Sequence, residues 1–221
     1  MGGAPRRWDR AGATPGGAEV GSKSMPGDIK IRRKKGIFCL EGMWDPDLAY
    51  RSSVLPILEL LQMRERIPFI HRDCATSDEL KFYLDRWTLQ KYRRYPILYL
   101  AFHGQPNLIY VGREEFTLDD FAEFFAGRCK RKIVIFGTCS TLRVDKRQLK
   151  RFLAATGAVA VCGYKTDVDW ITSTAFEMML LASMQANVFT GKGVPSIRRR
   201  ATTLARPFGK ELSFRMVTRF E

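Results

Sequence analysis

Two runs constrain this chain more than anything else in it: Ile97-Leu98-Tyr99-Leu100-Ala101-Phe102 and Ile133-Val134-Ile135-Phe136, both apolar throughout. A run this short is a strand rather than a helix, and unbroken apolarity means that both faces of the strand are covered. Further short strand-like runs lie at 37–40, 68–71 and 158–162, and a last strand is expected at 214–219. Between them the apolar residues fall at helical spacing. Residues 46–65 carry Leu48, Leu55, Leu58, Leu61 and Met63, with Pro56 expected to kink the helix. Ser77 is placed to cap a helix over 78–94, and Thr117 one bearing Leu118, Phe121, Phe124 and Phe125. Further helices are expected at 145–156, ending at Gly157, at about 171–185, and, with a basic surface, at about 196–206. Covered strands alternating with helices define an α/β fold with a mostly parallel central sheet and helices on both faces.

Composition narrows the function. Residues 1–34 hold eight Lys/Arg against three Asp/Glu and show no hydrophobic periodicity, so they read as a disordered basic tail ahead of one domain over 35–221. The net charge of +14 invites a nucleic-acid reading. The cations are scattered, however, and the clusters Arg32-Arg33-Lys34-Lys35, Lys130-Arg131-Lys132 and Arg198-Arg199-Arg200 are short, which disfavours nucleic acid as the partner. No apolar run approaches the ~20 residues that span a bilayer, and no secretory h-region opens the chain, so no membrane partner and a cytoplasmic location are expected. Five cysteines without a C-x-x-C pair argue against both a disulfide framework and a structural zinc site. Neither a G-x-G-x-x-G after the first strand nor a G-x-x-x-x-G-K-[ST] is present. No cofactor and no metal are therefore expected.

Ligands of an open α/β sheet bind beyond the carboxyl ends of its strands. Two consecutive long strands end there in reactive residues, one in Phe102-His103-Gly104 and the other in Phe136-Gly137-Thr138-Cys139-Ser140. Neighbouring strands lie about 4.8 Å apart, so an imidazole and a thiol at their tips can work as base and nucleophile. His103 and Cys139 are the expected catalytic pair. The N–H groups of Cys139 and Gly104 are the expected donors to a developing oxyanion. The alternative for each is plain: a strand-end histidine and a small buried hydrophobe. His71, the other histidine, lies within a strand where packing suffices.

These two motifs and the element order over about 36–170 resemble the caspase-like cysteine peptidases, which include caspases, metacaspases, legumain, separase and the bacterial CHAT proteins. The resemblance implies a three-layer caspase-like sandwich with His103 and Cys139 as its catalytic histidine and nucleophile. Cys139-Ser140 looks closer to the CHAT pattern than to the caspase Q-A-C-x-G signature. Gly137 stands where several relatives carry an acidic residue. The family's pocket also draws on the loop after the fifth strand, where Asp167 or Asp169 would favour a Lys or Arg side chain in the substrate. Asp169 serves equally well as a helix cap. Glu41 and Asp45, after the first strand, are placed to reach the cleft. The resemblance implies a protein or peptide substrate and leaves room for a regulatory protein partner, as in bacterial defence effectors. The competing readings are a catalytically inactive interaction domain of the same fold and a basic nucleic-acid-binding module.

Overall fold

A computed structural model describes residues 33–50 and 52–221. All but the last two residues of the expected basic tail lie outside the described residues. Six strands form the main sheet: β1 (Ile37–Glu41), β2 (Phe69–Asp73), β3 (Ile97–Ala101), β7 (Ile133–Gly137), β8 (Ala160–Tyr164) and β9 (Phe214–Thr218). Their order across the sheet is β2-β1-β3-β7-β8-β9, parallel except for β9, which runs antiparallel to β8. The strand numbers missing from that list form a small antiparallel sheet: β4 (Gly104–Gln105), β5 (Leu108–Val111) and β6 (Glu114–Thr117). It grows directly out of the end of β3.

The period of two along the strands sorts their side chains into two cores. Ile97, Tyr99 and Ala101 of β3, with Ile133 and Ile135 of β7, face a core shared with α1 (Leu55–Glu65), α5 (Trp170–Ser183) and α6 (Val194–Ala205). Leu98, Leu100 and Phe102, with Val134 and Phe136, face the other core. There α2 (Ser77–Thr88), α3 (Leu118–Phe125) and α4 (Lys146–Thr156) cover the sheet. Both faces of β3 are thus occupied, which is why its sequence carries no alternation. The chain steps from β1 outward to β2 and then returns across β1 to β3. That reversal sets a crevice between the loops that follow β1 and β3.

Several boundaries differ from those the spacing implies. The helix expected from residue 46 begins at Leu55, and Pro56 sits in its first turn, where its missing N–H costs nothing, rather than at a kink. Residues 42–50 and 52–54 are loop, and several of them wall the crevice. Thr76, not Ser77, caps α2 through a reciprocal pair with Glu79, while the Ser77 hydroxyl donates to Glu114. That helix stops at Thr88 and a single 3₁₀ turn, Gln90–Tyr92, completes the expected stretch. Thr117 caps α3 as expected: its hydroxyl accepts the Asp120 N–H, and the Asp120 carboxylate accepts the Thr117 N–H. Thr117→Ala should therefore cost about 1 kcal/mol and lower the Tm by roughly 2–4 °C, read by thermal denaturation. An unchanged Tm would mean that α3 is held by packing alone.

Candidate functional site

β3 and β7 are neighbours at the middle of the sheet, and their last registered pair is Ala101 with Gly137. His103 and Cys139 each stand two residues beyond that pair. Both line one cleft of about 150 Å³, together with Trp44, Val168, Trp170 and Glu177. Of the five cysteines, Cys39, Cys74, Cys129 and Cys162 are buried and Cys139 alone is partly exposed. Burial pushes the Cys74 and Cys129 thiols up to about 12, and drives Cys39 and Cys162 up as well, so none of these four is a ready nucleophile.

The turn that carries Cys139 is fastened on three sides. The Ser140 N–H donates to the Thr166 carbonyl at 3.0 Å, and the Ser140 hydroxyl donates to Asp167 at 2.7 Å. The Leu142 N–H reaches the Tyr164 carbonyl, and Thr138 and Thr141 join their hydroxyls at 2.7 Å. Ser140 is held at φ 56°, a left-handed conformation uncommon for a residue with a Cβ, and these four bonds maintain it. Asp167 thereby props the turn that carries Cys139 and lies outside the cleft's lining.

His103 is oriented by the backbone of the β1 loop. Its Nε2 lies 2.9 Å from the Trp44 carbonyl oxygen, and its ring packs edge-on against the Trp44 indole. A carbonyl can only accept, so Nε2 carries the hydrogen and Nδ1 holds the free lone pair. Nδ1 is therefore the nitrogen able to take a proton. Trp44 is fixed in turn by Glu41, whose carboxylate accepts from the Trp44 indole N–H, the Ser53 hydroxyl at 2.7 Å and the Val54 N–H at 2.8 Å. The His71 Nε2 completes the set at 2.6 Å. Burial alone would raise the Glu41 carboxyl, but these hydrogen bonds together hold it below the usual range. Glu41 thus ties β1, β2, Trp44 and the start of α1 together from beneath the crevice. It and Asp45 line an adjoining pocket of about 270 Å³ that shares Trp44 as a wall, not the cleft of His103 and Cys139.

Ligand atoms of Glu41, His71 and Asp73 lie within 4.8 Å of one another, a set able in principle to hold a cation. The 2.6 Å between His71 and Glu41 is a hydrogen bond, well short of the roughly 3.3 Å between two tetrahedral ligands at about 2.0 Å from zinc. Ring and carboxylate satisfy each other there.

Gly104 packs so closely under the turn that a Cβ would lie 2.4 Å from the Thr141 hydroxyl and 2.8 Å from the Cys139 carbonyl oxygen. The Tyr110 N–H donates to the His103 carbonyl, so Gly104 and Ile109 form a non-hydrogen-bonded pair of the β4–β5 ladder. The Gly104 N–H accordingly faces away from β5. Asp169 caps α5, accepting the Thr172 N–H at 2.8 Å and its hydroxyl at 2.9 Å. Those bonds hold its carboxyl below the ordinary value, and it too stands outside the cleft.

The acid that does line the cleft is Glu177, from the middle of α5, which sequence reasoning missed. It accepts hydrogen bonds from the Tyr99 and Tyr164 hydroxyls, and burial pushes its carboxyl up to about 7 against the pull of those two bonds. A Cβ at Gly137 would come 2.6 Å from the Tyr99 ring and 2.8 Å from a Glu177 oxygen, so the glycine leaves room for the carboxylate. The signal was legible: Glu177 is the one charged residue in the run Trp170–Ser183.

A mostly parallel central sheet between two helical layers is a caspase-like fold. The chain resembles the crystal structure of Caspase-1 from Spodoptera frugiperda at a TM-score of 0.54 and 10% identity, over 88% of this chain and 94% of that one. The likeness is one of fold. By sequence the chain belongs to a family of unknown function (DUF6642), whose model matches residues 34–216. No curated protein matches it. Among the described residues no helix is long and apolar enough to cross a membrane.

Proposed function

We propose that the protein is a cysteine endopeptidase in which Cys139 attacks the scissile carbonyl and His103 receives its proton through Nδ1. The observation that carries this reading is that the only cysteine not buried and a tautomer-fixed histidine line one cleft from adjacent strand tips. The sequence of steps follows ordinary acyl transfer. The thiolate adds to the carbonyl, the oxyanion is received by the N–H groups of Cys139 and Gly104, and the imidazolium protonates the departing amine. Water then hydrolyses the thioester. The cleft has apolar walls in Trp44, Val168 and Trp170 and an acid at its floor, so a Lys or Arg side chain with its long apolar stem suits it. The substrate in this reading is a protein or peptide cut after a basic residue.

The test is covalent labelling with a peptidyl acyloxymethyl ketone bearing Lys or Arg next to the warhead. Mass spectrometry should find a single adduct, on Cys139, and labelling of the His103→Ala protein should be strongly slowed. Adducts spread over several cysteines, or equal labelling of the Cys139→Ala protein, would rule the reading out. A second reading, an inactive domain that only binds, draws on one observation: the Cys139 Sγ lies 3.9 Å from the Val168 carbonyl oxygen, to which its thiol can donate. A folded protein that binds the probe's peptide without reacting would favour it.

A further inference from the structure

At the opposite rim of the sheet, where β3 and β7 begin, lies another cavity, of about 520 Å³. Ile97 and Ile133 are the first registered pair of those strands, so Pro96 and Lys132 adjoin at this rim. The cavity is one strand length, roughly 16 Å, from the cleft of Cys139. Arg93, Arg94, Arg128, Lys130, Arg131 and Lys132 make six of its ten lining residues, and no acid is among them.

Two of the six are engaged with the protein. Arg128 pairs with Asp85 at 3.0 Å and also bonds the Thr88 hydroxyl. Lys132 is buried, donates to the Trp87 carbonyl at 2.6 Å and stands over the Trp87 ring. Burial without an acidic partner lowers Lys132 to about 8. Arg93, Arg94, Lys130 and Arg131 are exposed and form no ion pair among the described residues. Gathering like charges into one concavity raises the local potential and is unfavourable until an anion enters.

We propose that this cavity binds an oligophosphate, several linked phosphates held by Arg93, Arg94, Lys130 and Arg131. Its size lies within the range of small-ligand sites. One carboxylate would neutralise only one of four free cations, whereas linked phosphates meet them all. Three of the four exposed cations, Arg93, Arg94 and Arg131, are guanidinium groups, whose forks match phosphate oxygens two at a time. The same chemistry is offered by a free oligophosphate and by a nucleic-acid backbone. The proposal does not depend on the peptidase reading, because no residue of the cleft takes part.

The experiment is a titration of the full chain with inorganic tripolyphosphate, a single-stranded oligonucleotide and oligoglutamate, followed by calorimetry over a range of salt. Tripolyphosphate should bind, and Arg93→Glu combined with Arg131→Glu should weaken it by roughly tenfold or more for the loss of two charge-assisted contacts. For the oligonucleotide, the dependence of log affinity on log salt should flatten by about 1.4 in that variant. Arg199→Glu with Lys210→Glu, two exposed cations elsewhere, should leave both unchanged. Tripolyphosphate bound at least as tightly as the strand identifies the free oligophosphate as the ligand, and a markedly tighter strand identifies the nucleic-acid backbone. Absence of binding, equal weakening in the control pair, or oligoglutamate bound as well as tripolyphosphate would overturn the proposal. A near-ultraviolet circular dichroism spectrum matching the parent shows that each variant is folded.

Discussion

Cys139→Ala is expected to lower kcat/KM on a cleavable basic peptide by roughly 10⁴- to 10⁶-fold, the scale on which removal of a nucleophile acts when its oxyanion donors remain. The side chain is partly exposed and its replacement leaves no large cavity, so the Tm should stay within a few degrees. His103→Ala should be similarly slow near neutrality but should recover part of its rate as pH rises toward about 9. An unassisted thiol ionises there without a base. Peptide turnover measured across that pH range separates the two roles. A nucleophile lost cannot be restored by hydroxide, and a base can be partly replaced. Full turnover by the Cys139→Ala protein would remove the residue from the chemistry.

Glu177→Gln should affect selectivity and stability in opposite directions. In the proposed peptidase, removing the charge offered to a substrate Lys or Arg tip should cost about 2–4 kcal/mol, or roughly 30- to 1000-fold in kcat/KM on basic substrates. Cleavage after an uncharged residue of similar size should change little. For stability, the carboxyl of Glu177 is raised from 4.5 to about 7 by burial, with the Tyr99 and Tyr164 hydroxyls opposing the rise. The folded protein keeps this proton where the unfolded chain has lost it. The contribution to stability is therefore full below about pH 4.5 and is lost as pH rises through about 7. Gln carries no such penalty, so the variant should gain on the parent by up to about 3 kcal/mol between pH 5 and pH 8, measured by denaturant unfolding at both. The same linkage makes a cationic substrate release a proton on binding, so KM for basic peptides should fall as pH rises through 7. An unaltered ratio of basic to neutral cleavage would leave Glu177 with a structural role only.

The central strands were legible because burial on both faces leaves a continuous apolar run, and β3 and β7 match the expected runs to within one residue at their ends. From them the positions of His103 and Cys139 followed without any knowledge of the rest. Residues 46–50 and 52–54 were misread as helix because Leu48 happens to fall in helical step with Leu55 and Leu58; in the fold Leu48 is exposed. What the sequence hid was partnership. Glu41 looked like a cleft residue, whereas its four bonds turn inward and fix the peptide that orients His103. Asp167 and Asp169 flank Val168, which lines the cleft, but were claimed by Ser140 and by the start of α5. Short acidic side chains near backbone N–H groups are often captured in this way, and only coordinates tell which.

The division of labour between the sheet and α5 has an evolutionary consequence. The thiol and the ring ride on strand tips at the centre of the fold, while Ser173, Thr174 and Glu177 reach the same hollow from a helix laid across one face. Mutations along that helix can therefore diversify what is admitted while the reactive atoms keep their mutual geometry. Under the peptidase reading, a lineage acquires new targets through α5 without passing through an inactive ancestor.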